Sequence, residues 1–198
     1  MEILHHIFGG KTRVRIMRLL LLNPDKCYDE KSAVSRSRGT EREVERELAS
    51  FEKIGLIKRR RIVTESKKKR VRIFGWVLNN SFVYLKELRS LLLNDVLMTG
   101  NEILQRLSRG GSLKLLVLAG IFIQDWDSRV DLLIVGDKLK KGVLERTLRS
   151  MEAEIGRELR YTILDLGDFN YRMSIGDRLV RDIFDYPHQI VLDRGILG

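Results

Sequence analysis

Apolar residues in the first part of the chain recur with a helical period. In "GGKTRVRIMRLLLLNPD", Val14, Met17, Leu20 and Leu21 fall at i, i+3, i+6 and i+7 and share one face, with Lys11, Arg13, Arg15 and Arg18 mostly off it. Gly9-Gly10 precede this helix and Asn23-Pro24 end it. A shorter helix is predicted from Asp29 to about Ser37. In "GTEREVERELASFEKIGLI", Thr40 with Glu43 three residues later forms a capping box, so a third helix begins at Glu41. Its apolar stripe is Val44, Leu48 and Phe51, extended by Ile54, and Gly55 supplies a left-handed stop. The period then changes from helical to alternating. Segments 56–63 and 70–78 are predicted strands around a polar turn, Glu65–Lys69, forming a basic hairpin with Lys67, Lys68, Lys69 and Arg70 at its tip.

Beyond the hairpin, Phe82, Leu85, Leu88 and Leu92 make one helical stripe, and a further helix is predicted at about 100–108. Gly110-Gly111 reads as a turn. From Ser112 the order is strand (112–119), irregular segment (120–127), strand (129–135), helix (about 139–157), strand (160–165), helix (169–184) and a last strand (189–192). Leu144, Leu148, Met151 and Ile155 line the first of these helices. Phe169, Met173, Leu179, Ile183 and Phe184 read as core of the second, with Tyr171, Arg172, Arg178 and Arg181 on its solvated face. This second region is a small α/β domain around a short sheet.

Charge sharpens the division. Of 37 Lys and Arg and 27 Asp and Glu, residues 1–80 hold 20 basic and 10 acidic, leaving 17 of each for 81–198. The whole net charge of +10 therefore sits in the first 80 residues, and a basic domain of this kind attracts polyanions. Two prolines in 198 residues argue against long disordered linkers. The lone Cys27 can form no intramolecular disulfide and has no partner at zinc spacing, which fits a reducing cytoplasm. No apolar run approaches the ~18 residues of a membrane span. The N-terminus lacks a basic region leading into an apolar segment, so no signal peptide is expected.

The order helix, helix, capped helix, basic hairpin resembles a winged helix-turn-helix over about residues 8–78. Its most specific piece is "ELASFEKIGLIKRR". The resemblance implies a third helix in the major groove and a wing on backbone or minor groove, with Lys and Arg releasing counterions from phosphates. Arg59, Arg60, Lys67, Lys68, Lys69 and Arg70 are the expected phosphate contacts, and Arg36, Arg38, Arg42 and Arg46 are expected near the groove. One feature departs from the pattern: the third helix also carries Glu41, Glu43, Glu45, Glu47 and Glu52. Either Arg42 and Arg46 face DNA while the acids point away, or this helix contacts protein. A helix after the wing often dimerises in such regulators, which would suit a palindromic operator. The other reading is that it packs on its own chain.

The stretch "LVLAGIFIQDWDSRVDLLIVGD" resembles the minimal nucleotidyltransferase domain of the polymerase-β-like superfamily, over about 112–192 with a motif of about 18 residues. That family has Gly-Ser after one strand, then Ser-Asp-x-Asp leading into an apolar strand. Residues i and i+2 of a strand share a face, so Asp-x-Asp presents two carboxylates side by side that hold divalent ions. Gly120, Ser128, Asp131 and "LLIVGD" match. Ile121 replaces the serine and Arg129 the first aspartate. A cation at a metal position repels the ion the reaction needs. Arg129 is expected to sit beside Asp131 and to pair with it. Asp165 is the candidate third carboxylate, and Asp127 with Asp131 a shifted alternative, with Asp125 just upstream. His5, His6 and His188 have no partners at catalytic or ligand spacing.

These readings combine into an α+β chain. Residues 1–80 form a winged-helix DNA-binding domain, 81–110 linker or dimerisation helices, and 111–198 a nucleotidyltransferase-like domain with a degenerate site at Gly120, Arg129 and Asp131. The expected function is a cytoplasmic transcriptional regulator on duplex DNA, working as a homodimer. It would have a nucleotide or protein effector, no cofactor, no metal and no membrane partner. The rival readings are an active nucleotidyltransferase and an antitoxin-like interaction protein.

Overall fold

The computed structural model describes residues 2–66, 69–93, 98–125 and 128–197, with side chains set aside at positions 2, 62–66 and 69–72. The chain is mixed α and β, in keeping with an α+β class. It divides into two compact units, Met1–Val96 with Ser150–Arg157, and Leu97–Arg149 with Glu158–Gly198.

The first unit opens with helix α1 (Glu2–Ile7), which the sequence reading had not assigned, followed by α2 (Lys11–Leu22), α3 (Glu30–Ser37) and α4 (Glu41–Lys53). Asp29 caps α3 by accepting from the Ser32 amide at 2.8 Å. The capping box of α4 is complete: Thr40 accepts from the Glu43 amide and Glu43 accepts from the Thr40 amide. Gly55, at φ 77°, turns the chain out of α4 into strand β1 (Ile57–Ser66). Antiparallel β2 (Lys69–Leu78) runs back beside it. Both strands run further toward the tip than the alternation predicted. Tyr28 exchanges both backbone hydrogen bonds with Trp76, at 2.9 and 2.8 Å, so the α2–α3 connection is stitched to the hairpin. The core contains Val14, Leu20, Ala33, Val44, Leu48, Phe51, Leu56 and Ile57, with Leu92 of helix α5 (Leu85–Leu93) buried in the same cluster. In this structure α5 therefore packs on its own chain.

Arg18 departs from its expected position off the apolar face. It is 1% exposed. Its Nε donates to the Leu92 carbonyl and its Nη1 to the Glu154 carbonyl, both at 3.0 Å. A guanidinium can be buried when carbonyls take its protons.

In the second unit, α6 (Gly100–Leu107) carries a capping box of Thr99 and Glu102. Strand β3 (Ser112–Leu118), a 3₁₀ turn (Gly120–Ile123) and strand β4 (Leu132–Asp137) follow. Then come α7 (Lys141–Ile155), whose residues from Ser150 on belong to the first unit, β5 (Tyr161–Asp165), α8 (Leu166–Ser174), α9 (Arg178–Asp185) and β6 (Gln189–Asp193). The sheet order is β5-β4-β3-β6. Only β4 and β5 are parallel, joined through α7, as a parallel pair needs a crossover. Leu115, Val117, Leu133, Val135, Leu164, Phe169, Val180 and Ile183 pack together under α8 and α9. The single helix expected over 169–184 is two helices. Gly176, at φ 64°, breaks it, and the Asp177 side chain then caps α9 by accepting from the Leu179 and Val180 amides. The break changes the register of the apolar stripe, so Met173 and Leu179 are exposed rather than core. Strand β4 begins at Leu132, three residues later than expected.

Candidate nucleic-acid interface

Helix α4 decides what its mixture of acids and bases can do. At about 100° per residue, Arg42, Arg46, Ala49 and Lys53 fall in one sector about 60° wide, opposite the buried Val44, Leu48 and Phe51. All four are exposed. The acids lie off this sector, and three of the five are held in place. Glu43 closes the capping box and accepts from the Thr12 hydroxyl at 3.2 Å. The Thr40 amide and hydroxyl hold its carboxyl below the ordinary range. Glu47 is 5% exposed and lies 3.1 Å from both Arg13 and Arg46. Glu52 pairs with Arg59 at 2.9 Å and accepts from Trp76 Nε1 at 3.4 Å. Glu41 and Glu45 remain exposed on one flank.

Arg42 is exposed, and Arg46, 72% exposed, stays on the surface despite its bond to Glu47. Arg36 and Arg38 are exposed at the end of α3, Arg38 in the left-handed region at φ 54°. Arg59 and Arg60 are exposed on β1, but Arg59 is tied to Glu52 and lies 5.8 Å from the Trp76 ring centre. Lys69 and Arg70 begin β2. Lys67 and Lys68 lie outside the described residues. Lys53, Lys58 and Arg61 are further exposed cations that the motif resemblance does not single out. Lys53 could have been found by projecting α4 onto a wheel. Arg61 could have been found from the strand register, which pairs it with Phe74; its guanidinium lies 5.6 Å from that ring centre.

Asp131 occupies a different environment from the one its motif suggests. It is 1% exposed. Oδ1 accepts from the Ile121 amide at 3.0 Å, and Oδ2 from the Arg160 amide at 2.8 Å and the Arg160 Nε at 3.5 Å. The expected Arg129–Asp131 pair does not form. Arg129 is 69% exposed and bonds Asp182 at 3.3 Å. The reason is geometric. Asp131 precedes β4 and turns inward to bind the turn after β3 and the start of β5, so its partner comes from 29 residues away. Gly120, at φ 52°, leaves room for this: a Cβ there would collide with Asp131 Oδ1. Ser128 folds back on Val130, donating to its carbonyl at 2.8 Å.

Asp165 does not join Asp131. Leu132 pairs with Tyr161 and Gly136 with Asp165, so the two acids stand at opposite ends of the β4–β5 pair, roughly 15 Å of strand apart. Asp165 instead caps α8 by accepting from the Asp168 amide at 2.8 Å. Asp127 lies outside the described residues, and among the described residues no three His, Cys, Asp or Glu converge as metal ligands would. Burial lowers the pKa of His5, with the nearby Arg18, Lys11 and Arg15 charges adding to the effect. His188 is half-buried and stands edge-on to Phe184 at 5.4 Å. No helix among the described residues is long and apolar enough to cross a membrane.

Compared with protein-family models, with curated proteins and with solved structures, the chain matches none of them.

Proposed function

We propose that the first unit is a winged helix-turn-helix that binds duplex DNA, and that the chain is a cytoplasmic transcriptional regulator. α4 is the recognition helix and the β1–β2 hairpin is the wing. The observation that carries this reading is the outward sector of α4. It displays Arg42, Arg46 and Lys53 while Glu43, Glu47 and Glu52 are engaged elsewhere, so the surface of an acid-rich helix is basic where a groove would meet it. The four consecutive exposed cations Lys58–Arg61 on β1 extend the same charge. The second unit is a nucleotidyltransferase-like domain that has given up metal-dependent transfer. Support for this comes from Asp131, whose two oxygens bind backbone amides, and from Asp165, which lies at the far end of its strand. That unit would then serve sensing or assembly, because binding demands less of a site than catalysis does.

The test is fluorescence anisotropy of the full chain on a mixed-sequence duplex across a salt series. Binding should weaken steeply with salt. The double variant Arg42→Ala, Arg46→Ala should bind about 10- to 100-fold more weakly and flatten the log–log salt slope by about 2. Equal affinity and slope in the two proteins would reject α4 as the DNA-facing helix.

A further inference from the structure

The second unit contains a cavity of about 320 Å³ at the end of the sheet where β3 finishes and β4 and β6 start. That size lies within the range of small-molecule sites, ~300–1,000 Å³. Its apolar lining includes the buried Ala119, Val130 and Ile183, exposed by only 3%, 8% and 3%, and the exposed Pro187. Polar groups converge on it from separate segments: Arg129 and Asp125 from the β3–β4 connection, and Asp182 from α9. Tyr186 lines it from the turn before β6. Tyr186 is 62% exposed, and its ring and hydroxyl have no partner among the described residues. A large aromatic left open beside an apolar-floored cavity offers contact area at low entropy cost.

The charges around the cavity discriminate between ligands. Asp182 is approached by Arg129 at 3.3 Å and by Arg178 at 3.8 Å. Among the described residues the cavity wall carries one cation, Arg129, and two carboxylates, Asp125 and Asp182, with Arg178 beyond it. A polyanion would find no net positive wall there. A simple cation would meet Arg129, and a wholly apolar ligand would leave the ion pair desolvated and uncompensated. A ligand carrying one carboxylate beside one ammonium offers an opposite charge both to the cation and to the carboxylates of the wall. Its carboxylate can take the Arg129 donors that Asp182 does not use, since a guanidinium has five and only Nη1 is bonded.

We propose that this cavity binds a free amino acid with an aromatic or branched apolar side chain. Arg129 takes the carboxylate, Asp182 and Asp125 take the ammonium, and the side chain rests on Val130 and Ile183 under Tyr186. The position that would hold a metal-binding aspartate in a nucleotidyltransferase here supplies the cation that reads an organic anion directly.

Isothermal titration calorimetry on the full chain tests this with L-phenylalanine, L-tryptophan and L-leucine, each against its methyl ester, and with Mg-ATP as the competing class. At least one amino acid should bind saturably, and its ester should bind about tenfold or more weakly, the loss expected when a charge-assisted hydrogen bond goes. Arg129→Gln should reproduce that loss with the free acid and not with the ester, and Arg129→Lys should recover part of it. Tyr186→Ala, at an exposed position where folding is not at stake, should also weaken binding. The proposal is overturned if none of the three saturates up to about 10 mM or if acid and ester bind alike. It is also overturned if Tyr186→Ala leaves binding unchanged, or if Mg-ATP binds in an Arg129-dependent way and the amino acids do not. No DNA enters the experiment, so its outcome is independent of the nucleic-acid reading.

Discussion

Glu47 in the first unit and Asp131 in the second are both buried carboxylates, 5% and 1% exposed, and both are answered by arginine. Their partners differ in kind. Glu47 meets side chains, Arg13 and Arg46, each still partly in water. Asp131 meets the backbone, two amides 39 residues apart, with Arg160 as a longer third contact. An acid that binds side chains arranges a surface. It fixes where Arg46 stands and keeps its own charge away from the outward sector of α4. An acid that binds amides arranges the chain itself. It pins the turn after β3 to the start of β5, and no carboxylate oxygen is left facing solvent. The same residue chemistry therefore orders surface side chains in one unit and the backbone in the other.

The sharpest way to break this contrast is Asp131→Ala. It leaves two buried amides without acceptors and should cost about 3–5 kcal/mol of unfolding free energy, more than any surface change in α4. Urea denaturation measures it. Duplex binding by the folded fraction should be unchanged, because α4 and the hairpin lie in the other unit. If Asp131 were instead a metal ligand, removing it would relieve a carboxylate held for an ion and stability would stay level or rise. That result would return the second unit to enzymology.

A smaller effect tests whether the acids of α4 are structural. Thr40→Ala removes one side of the capping box and should cost about 1 kcal/mol at neutral pH. The sign of its pH dependence follows from Glu43. The Thr40 amide and hydroxyl hold the Glu43 carboxyl below its ordinary range, so its folded pKa lies below the unfolded one. Such a group contributes its stabilisation in full above the unfolded value, about 4.3, and loses it as pH falls through the folded value. The difference between wild type and Thr40→Ala should therefore narrow below about pH 4. Unfolding curves at three pH values read this directly, and a gap as wide in acid as at neutrality would show that the ionised box adds nothing.

Much of the fold follows from short-range signals. Thr40 with Glu43 marks the start of α4, Gly55 its end, and the alternation after it the hairpin, because caps and periods are local physics. The break at Gly176 was also local: Gly followed by Asp is a stop and a cap in sequence. It was overridden by an apolar stripe that ran through it. The partners of the buried charges were not legible. Arg18 is buried because carbonyls of Leu92 and Glu154 reach it, and Asp131 is bonded by Arg160, all distant in sequence. Arg129 is the near neighbour of Asp131 in sequence, yet a bend before β4 turns the two residues to different partners. On α4, composition alone does not separate acids from bases, and their angular order shows that Arg42, Arg46 and Lys53 share a sector free of acids.

That angular order also yields the smallest expected effect. Glu45 is exposed on the flank of the outward sector, one residue before Arg46, and has no ion pair among the described residues. It buries nothing and caps nothing, so Glu45→Gln should leave stability within about 0.5 kcal/mol. Its charge still faces the solution near any phosphate that Arg42 and Arg46 would contact. Removing it should raise duplex affinity about two- to threefold at low salt, with the gain fading as ionic strength shortens the Debye length toward ~8 Å. Glu47→Gln, by contrast, removes a charge already answered by Arg13 and should bring no comparable gain. Anisotropy titrations of the two variants at low and physiological salt separate the cases. A gain from Glu45 alone would mean that position on the helix, rather than acidic content, sets what α4 presents to DNA. Equal gains would mean that α4 acts through its total charge and that its angular order has no bearing on binding.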